Sequence, residues 1–477
     1  MSESMERHDA ATMDAIEGLV TGSMGRDEFI KRATLLGFST VAIGGMLAAA
    51  GKAGAGVYGR ARPYAGTTIN ALIVAEGDDK GVKDKISTIK KRFGIDVKMT
   101  ALAVGPLIEK TNQNLKAPTS SFDIIQVLGF TVSQFVGGGL FTPLNSYLKK
   151  APAGYDFPQD FPPGQLKYTG YFDPAKQQFG GKTLYLIPGL HAGSCLLFYR
   201  KDLLAAAGLQ VPKTWAAYLA AAKKLHTGGV AGNSMIAKSG DVSMFLVDWY
   251  ARFINSGGKL MSGSPKAKNF TPRLTSPQAV AALQNMVDCV EYASSGVLSY
   301  DFTASVDAFS AGKTAMMCMW STIAGPVYNP KTSKVAKKVD VAVMPGQGKA
   351  VRGGWGIGIP KNAKAENKDA AWQVITYLTS KEWEAYQMAT YQTDPSRRST
   401  YGNAKLVKRF PYLPVAGQAV EKAQILEIAL IPETFEMITV AATEFAAALS
   451  GSSSAADACK KANDGWIKIL KRGGHLK

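Results

Sequence analysis

The run from Thr68 to Met99 restricts the fold more than any other part of this 477-residue chain. Residues 68–74 are β-branched and apolar and read as a buried strand. Glu76, Gly77, Asp78 and Asp79 follow as its exit loop. Val82, Ile86, Ile89 and Phe93 then recur at helical spacing, and Gly94 stops the run. Residues 95–99 alternate as a second strand. Strand, helix and strand at this length make a βαβ unit, whose parallel crossover is right-handed. The fold class that follows is α/β.

The rest of the chain keeps that alternation. A helix over 106–115 leads to a buried strand over 122–128, and strands follow at 182–188 and 194–199. Thr214 and Ser276-Pro277 open helices with cap signals. From Ala308 to Trp320 a polar helix end turns at Gly312 into a strand-like apolar run that stops on Trp320. Residues 339–344 form a strand. The glycine-dense Gly353-Gly354-Trp355-Gly356 strand lets a ligand or another backbone come close. Helices close the chain.

Composition narrows the function classes. Hydrophobic residues make up 46% of the chain, enough for two cored domains. Only 4 histidines are available for metal or triad chemistry. The net charge is +18 and the pI about 9.5, yet Lys and Arg are dispersed and no nucleic-acid-binding pattern accompanies them. Solvated helix faces account for the charge. Cys195, Cys289, Cys318 and Cys459 are too widely spaced for a Cys-x-x-Cys motif, and any disulfide pairing stays open. Cys195 and Cys318 lie in apolar runs and read as small buried residues.

Residues 1–56 read as an export leader that is cleaved. A basic flank precedes an apolar, small-residue run over 33–50, and residues 48–50 and 53–55 both fit a small-x-small cleavage site. The polar stretch ahead resembles a twin-arginine leader through Arg26, Phe29, Ile30 and Lys31, although Asp27 stands in place of the second arginine. The location is therefore periplasmic or extracytoplasmic, reached through Sec or a degenerate twin-arginine route. A retained anchor is the alternative.

The order of later motifs carries a resemblance. It rests on Phe122-Asp123-Ile124-Ile125, Gly180-Gly181-Lys182, Phe198-Tyr199-Arg200-Lys201-Asp202-Leu203 and Val211-Pro212-Lys213-Thr214-Trp215. Phe309-x-x-Gly312-Lys313-x-Ala315-Met316, Gly353-Gly354-Trp355 and Pro395-Ser396-Arg397-Arg398-Ser399 continue it. In this order the chain resembles the solute-binding proteins of carbohydrate ABC importers, the class of the maltodextrin-binding protein. The resemblance implies a two-lobed Venus-flytrap fold, each lobe a sheet flanked by helices and discontinuous in sequence. Residues 67–190 plus 325–392 make lobe I, and 191–324 plus 393–477 make lobe II. The chain crosses near 188–193, 322–326 and 391–395. It implies no enzyme, no cofactor and no metal, a monomer, and as partners a sugar or polyol and the membrane permease.

Sugars offer flat C–H faces to aromatic rings and hydroxyls to carboxylates, amides and Arg. The resemblance places Trp320 and Trp355 near the cleft, Arg398 in a loop that approaches ligand, and His191 in a crossing that carries a ligand contact. Glu76 after the first strand and Gln126 within the third are candidates to face the same cleft. Trp249 is a candidate ring on a strongly apolar helix, where core packing competes. An anionic or phosphorylated solute is the rival within binding proteins, on the net charge and Arg397-Arg398. A secreted carbohydrate-active enzyme is a further alternative. Glu76, Asp78 and Asp79 lack a second carboxylate at defined spacing for it, and no Gly-x-Ser-x-Gly occurs.

Overall fold

The computed structural model describes residues 26–35, 43, 64–238 and 242–477. The leader expected over 1–56 falls largely outside them, and both cleavage candidates lie outside them altogether. A helix spans Arg26–Leu35. Among the described residues no helix is long and apolar enough to cross a membrane.

The βαβ unit forms as its periodicity requires. The Thr68–Val74 strand lies between Asp96–Leu102 and Ile124–Leu128, all three parallel. Trp355–Gly358 joins antiparallel to Ile124–Leu128, and Ile187–Pro188 pairs antiparallel with it in turn. The helix between the first two strands spans Asp78–Phe93, so Asp78 and Asp79 open it rather than loop before it. Gly94, at φ +76°, ends it and donates its N–H to the Lys90 carbonyl at 2.9 Å. Val82, Ile89 and Phe93 bury one face against the sheet with Trp372 and Trp383 from the Lys368–Leu378 and Lys381–Tyr391 helices. Burial of each such side chain contributes about 1.5–3 kcal/mol.

A second sheet holds the other lobe. Cys195–Arg200 is its centre, with Met316–Trp320 and Val339–Ala342 antiparallel on either side. Asp301 caps the preceding Phe302–Ser310 helix by accepting the Ala304 N–H at 3.0 Å. Gly312, at φ +81°, makes the turn, and every residue of Met316–Trp320 is buried. Trp215–Leu225, Val242–Asn255, Pro277–Val290, Thr434–Leu449 and Ala455–Arg472 pack around this sheet.

One lobe boundary moves. The chain was expected to return to lobe I near 322–326, with 325 as its first residue there. Instead Ala324 and Val327 are buried in the second lobe, and Val339–Ala342 pairs with Cys195–Arg200. Without that strand the central strand would keep an unpaired edge. The crossing therefore falls between Ala342 and Trp355. The four cysteines are free and buried.

Candidate functional site

The lobes meet where three stretches of chain pass between them, and hydrogen bonds tie these together. Trp355 donates its N–H to the His191 carbonyl at 2.9 Å, and Gly353 to Gly193 at 3.1 Å. Ala192 donates to the Asp394 carbonyl at 3.1 Å, and Ser321 to the Ser194 carbonyl at 2.8 Å. The glycines at 353 and 354 make this approach possible. A Cβ on Gly354, at φ +87°, would lie 2.0 Å from the Ala192 carbonyl oxygen. One on Gly353 would lie 3.0 Å from the Trp320 ring. The Arg352 guanidinium, buried beside them, donates to the Ala192 and Gly353 carbonyls at 3.3 and 2.8 Å and to the Thr169 hydroxyl. Burial lowers it to about 10.

A buried polar cluster sits on this junction. Asp78, first residue of its helix, is fully buried, and the helix N-terminus favours its negative charge. One carboxylate oxygen accepts from Gln126 Nε2 at 2.8 Å, while Gln126 Oε1 accepts the Val74 N–H at 2.9 Å. The other oxygen stands 4.0 Å from His191 Nδ1, and neither atom has a hydrogen-bond partner among the described residues. Asp394, also buried, accepts the Ser321 hydroxyl at 2.7 Å. Burial pushes both carboxyls up to about 6, against the opposing pull of His191.

The structure brings Gln126, His191, Trp320 and Trp355 to this junction. It does not bring the other three candidates. Glu76 is exposed, and the buried carboxylate is Asp78 two residues on. Arg398 pairs with Glu421 at the surface, with its Nη1 on the Gln159 carbonyl at 2.8 Å. Its neighbour Arg397 is the buried one, donating to Thr379 at 2.7 Å and Asp160 at 3.1 Å and lying over Phe161. Trp249 is core: it stacks on Phe253 at 4.9 Å, packs on Phe445 and donates to the Ala279 carbonyl at 3.2 Å. Asp78, Asp394, Ser321 and Arg352 were missed. The acid straight after a glycine at the exit of the first strand was a signal for Asp78; Ser321 and Arg352 carried none.

A family model described as bacterial extracellular solute-binding protein matches residues 67–385. This chain belongs to that family. The mannitol-binding protein of Pseudomonas aeruginosa is 26% identical to this solute-binding protein over 321 residues, 62% of this chain and 71% of the relative. A solute-binding protein from Agrobacterium radiobacter in complex with ribitol superimposes with a TM-score of 0.71 at 24% identity, over 85% of this chain and 99% of that one. The maltose-bound MalE3 protein of T. maritima gives 0.70 at 22% identity, over 85% and 99%. These two share the two-lobed fold, as the resemblance implied. In a solute-binding protein, groups placed on the crossings change surroundings when the lobes move. Among the described residues no cluster of His, Cys, Asp and Glu is placed to hold a metal.

Proposed function

We propose that this solute-binding protein is exported and closes its lobes on a neutral sugar or polyol, which it hands unchanged to an ABC permease. The observation that carries the reading is that Asp78, Gln126 and His191 lie where the lobes join, beside the Trp355 backbone and the Gly353 that the Trp320 ring covers. Hydroxyls suit the carboxylate, amide and imidazole, and a C–H face suits the Trp320 ring. Relatives named for mannitol and solved with ribitol or maltose point to the same ligand class. An anionic solute fits less well, because Asp78 and Asp394 would repel it despite the +18 net charge. Closure draws its energy from the ligand's greater affinity for the closed state, so no acid–base step is required. The test is a thermal-shift panel on the mature protein with mannitol, ribitol, maltose, gluconate and inorganic phosphate. The melt should rise with one neutral compound, and NMR should find that compound unchanged. A rise with the anions alone, abolished by salt, overturns the neutral-ligand reading.

A further inference from the structure

A net charge of +18 plays no part in holding a neutral solute, and the fold gathers a share of it in one place. Lys331, Lys334, Lys337 and Lys338 are all exposed on the loop that leads into the Val339–Ala342 strand. Hydrogen bonds join that loop to two other stretches of chain. Lys201 donates its N–H to the Lys338 carbonyl at 2.9 Å, and Lys334 donates to the Ser310 carbonyl at 2.8 Å. At the turn, a Cβ on Gly312 would lie 3.2 Å from Val335 Cγ1 and 3.5 Å from Arg200 Nη1. The exposed Lys201 and Lys313 therefore border the same loop, and six lysines from three parts of the chain come together.

Little acid opposes them. Asp202 is engaged by Arg200, its oxygens accepting Nε at 2.7 Å and Nη2 at 2.6 Å. Asp340 turns back on the Val341 N–H at 2.9 Å, and the exposed Asp307 stands at the margin. Among the described residues none of the six lysines is in an ion pair. The face lies at the end of the second-lobe sheet opposite the lobe junction. Cys195 pairs with Trp320 at the junction, and Arg200 with Val339 at the far end. At about 3.4 Å per residue these ends are about 17 Å apart.

We propose that this lysine face docks the protein on the anionic phospholipid surface of a membrane. The inference goes beyond the ligand reading and does not depend on it. The face is built of lysines alone, because Arg200 is buried against Asp202. An ammonium on a flexible stem suits a diffuse layer of phosphates, whereas nucleic acid is gripped by forked arginines and stacked aromatic rings. The family is extracellular, which puts a membrane leaflet within reach. Each lysine held near such a surface tightens binding about fivefold. The attraction fades beyond about 10 Å at 0.1 M salt, so a protein docked by this pole keeps its cleft clear of the lipid.

The test is co-sedimentation of the mature protein with vesicles of phosphatidylglycerol and phosphatidylcholine, with phosphatidylcholine alone as the neutral surface. The protein should sediment with the anionic vesicles and not the neutral ones, and raised salt should release it. The triple variant Lys334→Gln, Lys337→Gln, Lys338→Gln should lower the partition by about a hundredfold. Lys98→Gln, Lys110→Gln and Lys116→Gln together remove the same charge from exposed positions on the first lobe and should change it little. All six positions are at the surface, and an unchanged thermal melt verifies the fold of each variant. Failure to sediment with the anionic vesicles overturns the proposal. So does an equal loss in the first-lobe variant, which would assign binding to net charge instead of this face. Tighter binding to a single-stranded oligonucleotide than to the vesicles, read by fluorescence anisotropy, overturns the choice of lipid. The wild-type vesicle arm needs no substitution and no sugar, so its failure leaves the ligand reading standing.

Discussion

Two tryptophans named as candidates, one by resemblance and one on an apolar helix, are both buried but meet different neighbours. Trp320 ends a strand with its ring against Gly353 at the lobe junction, whereas Trp249 is enclosed by Phe253 and Phe445. Trp320→Ala should therefore weaken the stabilising sugar or polyol by about 1–3 kcal/mol in calorimetry. Unchanged affinity would remove the ring from the site. Trp249→Ala should cost about 3–5 kcal/mol of stability in a urea melt. A loss of ligand with an unaltered melt would place Trp249 in the cleft after all. The apolar helix already favours core packing for Trp249, whereas periodicity does not report what the Trp320 ring is buried against. Arg397 and Arg398 teach the same lesson: adjacent identical residues point opposite ways, one into Asp160 and Thr379 and the other out to Glu421.

Among elements, strands were legible one by one, and their partners were not. The apolar run over 339–344 announced a strand, but nothing local says that it completes the second lobe's sheet beside Cys195–Arg200. Pairing is a long-range contact, so the crossing was placed about twenty residues early. The glycine-dense strand was read correctly as a close approach, and the structure supplies the neighbour: the Ala192 carbonyl on the first crossing. Gly354→Ala should accordingly be costly, since it meets both a left-handed φ of +87° and a backbone oxygen at 2.0 Å. Gly451→Ala is the control, at φ +77° with no atom within 4 Å of its new Cβ. The control should cost about 1 kcal/mol from strain alone. Urea melts giving equal losses would mean that the crossings do not need this contact.

For the whole molecule, the crossings concentrate carboxyls that burial keeps from ionising freely. Glu384 belongs with Asp78 and Asp394. It is buried on the Lys381–Tyr391 helix and accepts the N–H groups of Ser396 at 3.1 Å and Arg397 at 2.9 Å, tying the last crossing to the first lobe. Burial raises it to about 7, although Arg397 pulls the other way. All three carboxyls therefore have folded values above their unfolded ones of about 4. A raised acid stabilises the fold most when protonated in both states, so its contribution is complete below about pH 4 and is lost as pH rises through the folded value. For Glu384 the loss runs from about pH 4 to about pH 7 and amounts to about 3 kcal/mol at most. Glu384→Gln should flatten that part of the stability-against-pH curve measured by urea unfolding at fixed salt. Gln keeps an acceptor for the Arg397 N–H, so stability at pH 5 should change less than at pH 8. A variant curve parallel to wild type from pH 4 to pH 8 would show that Glu384 is already ionised in the fold, its charge held by Arg397 and the two backbone donors.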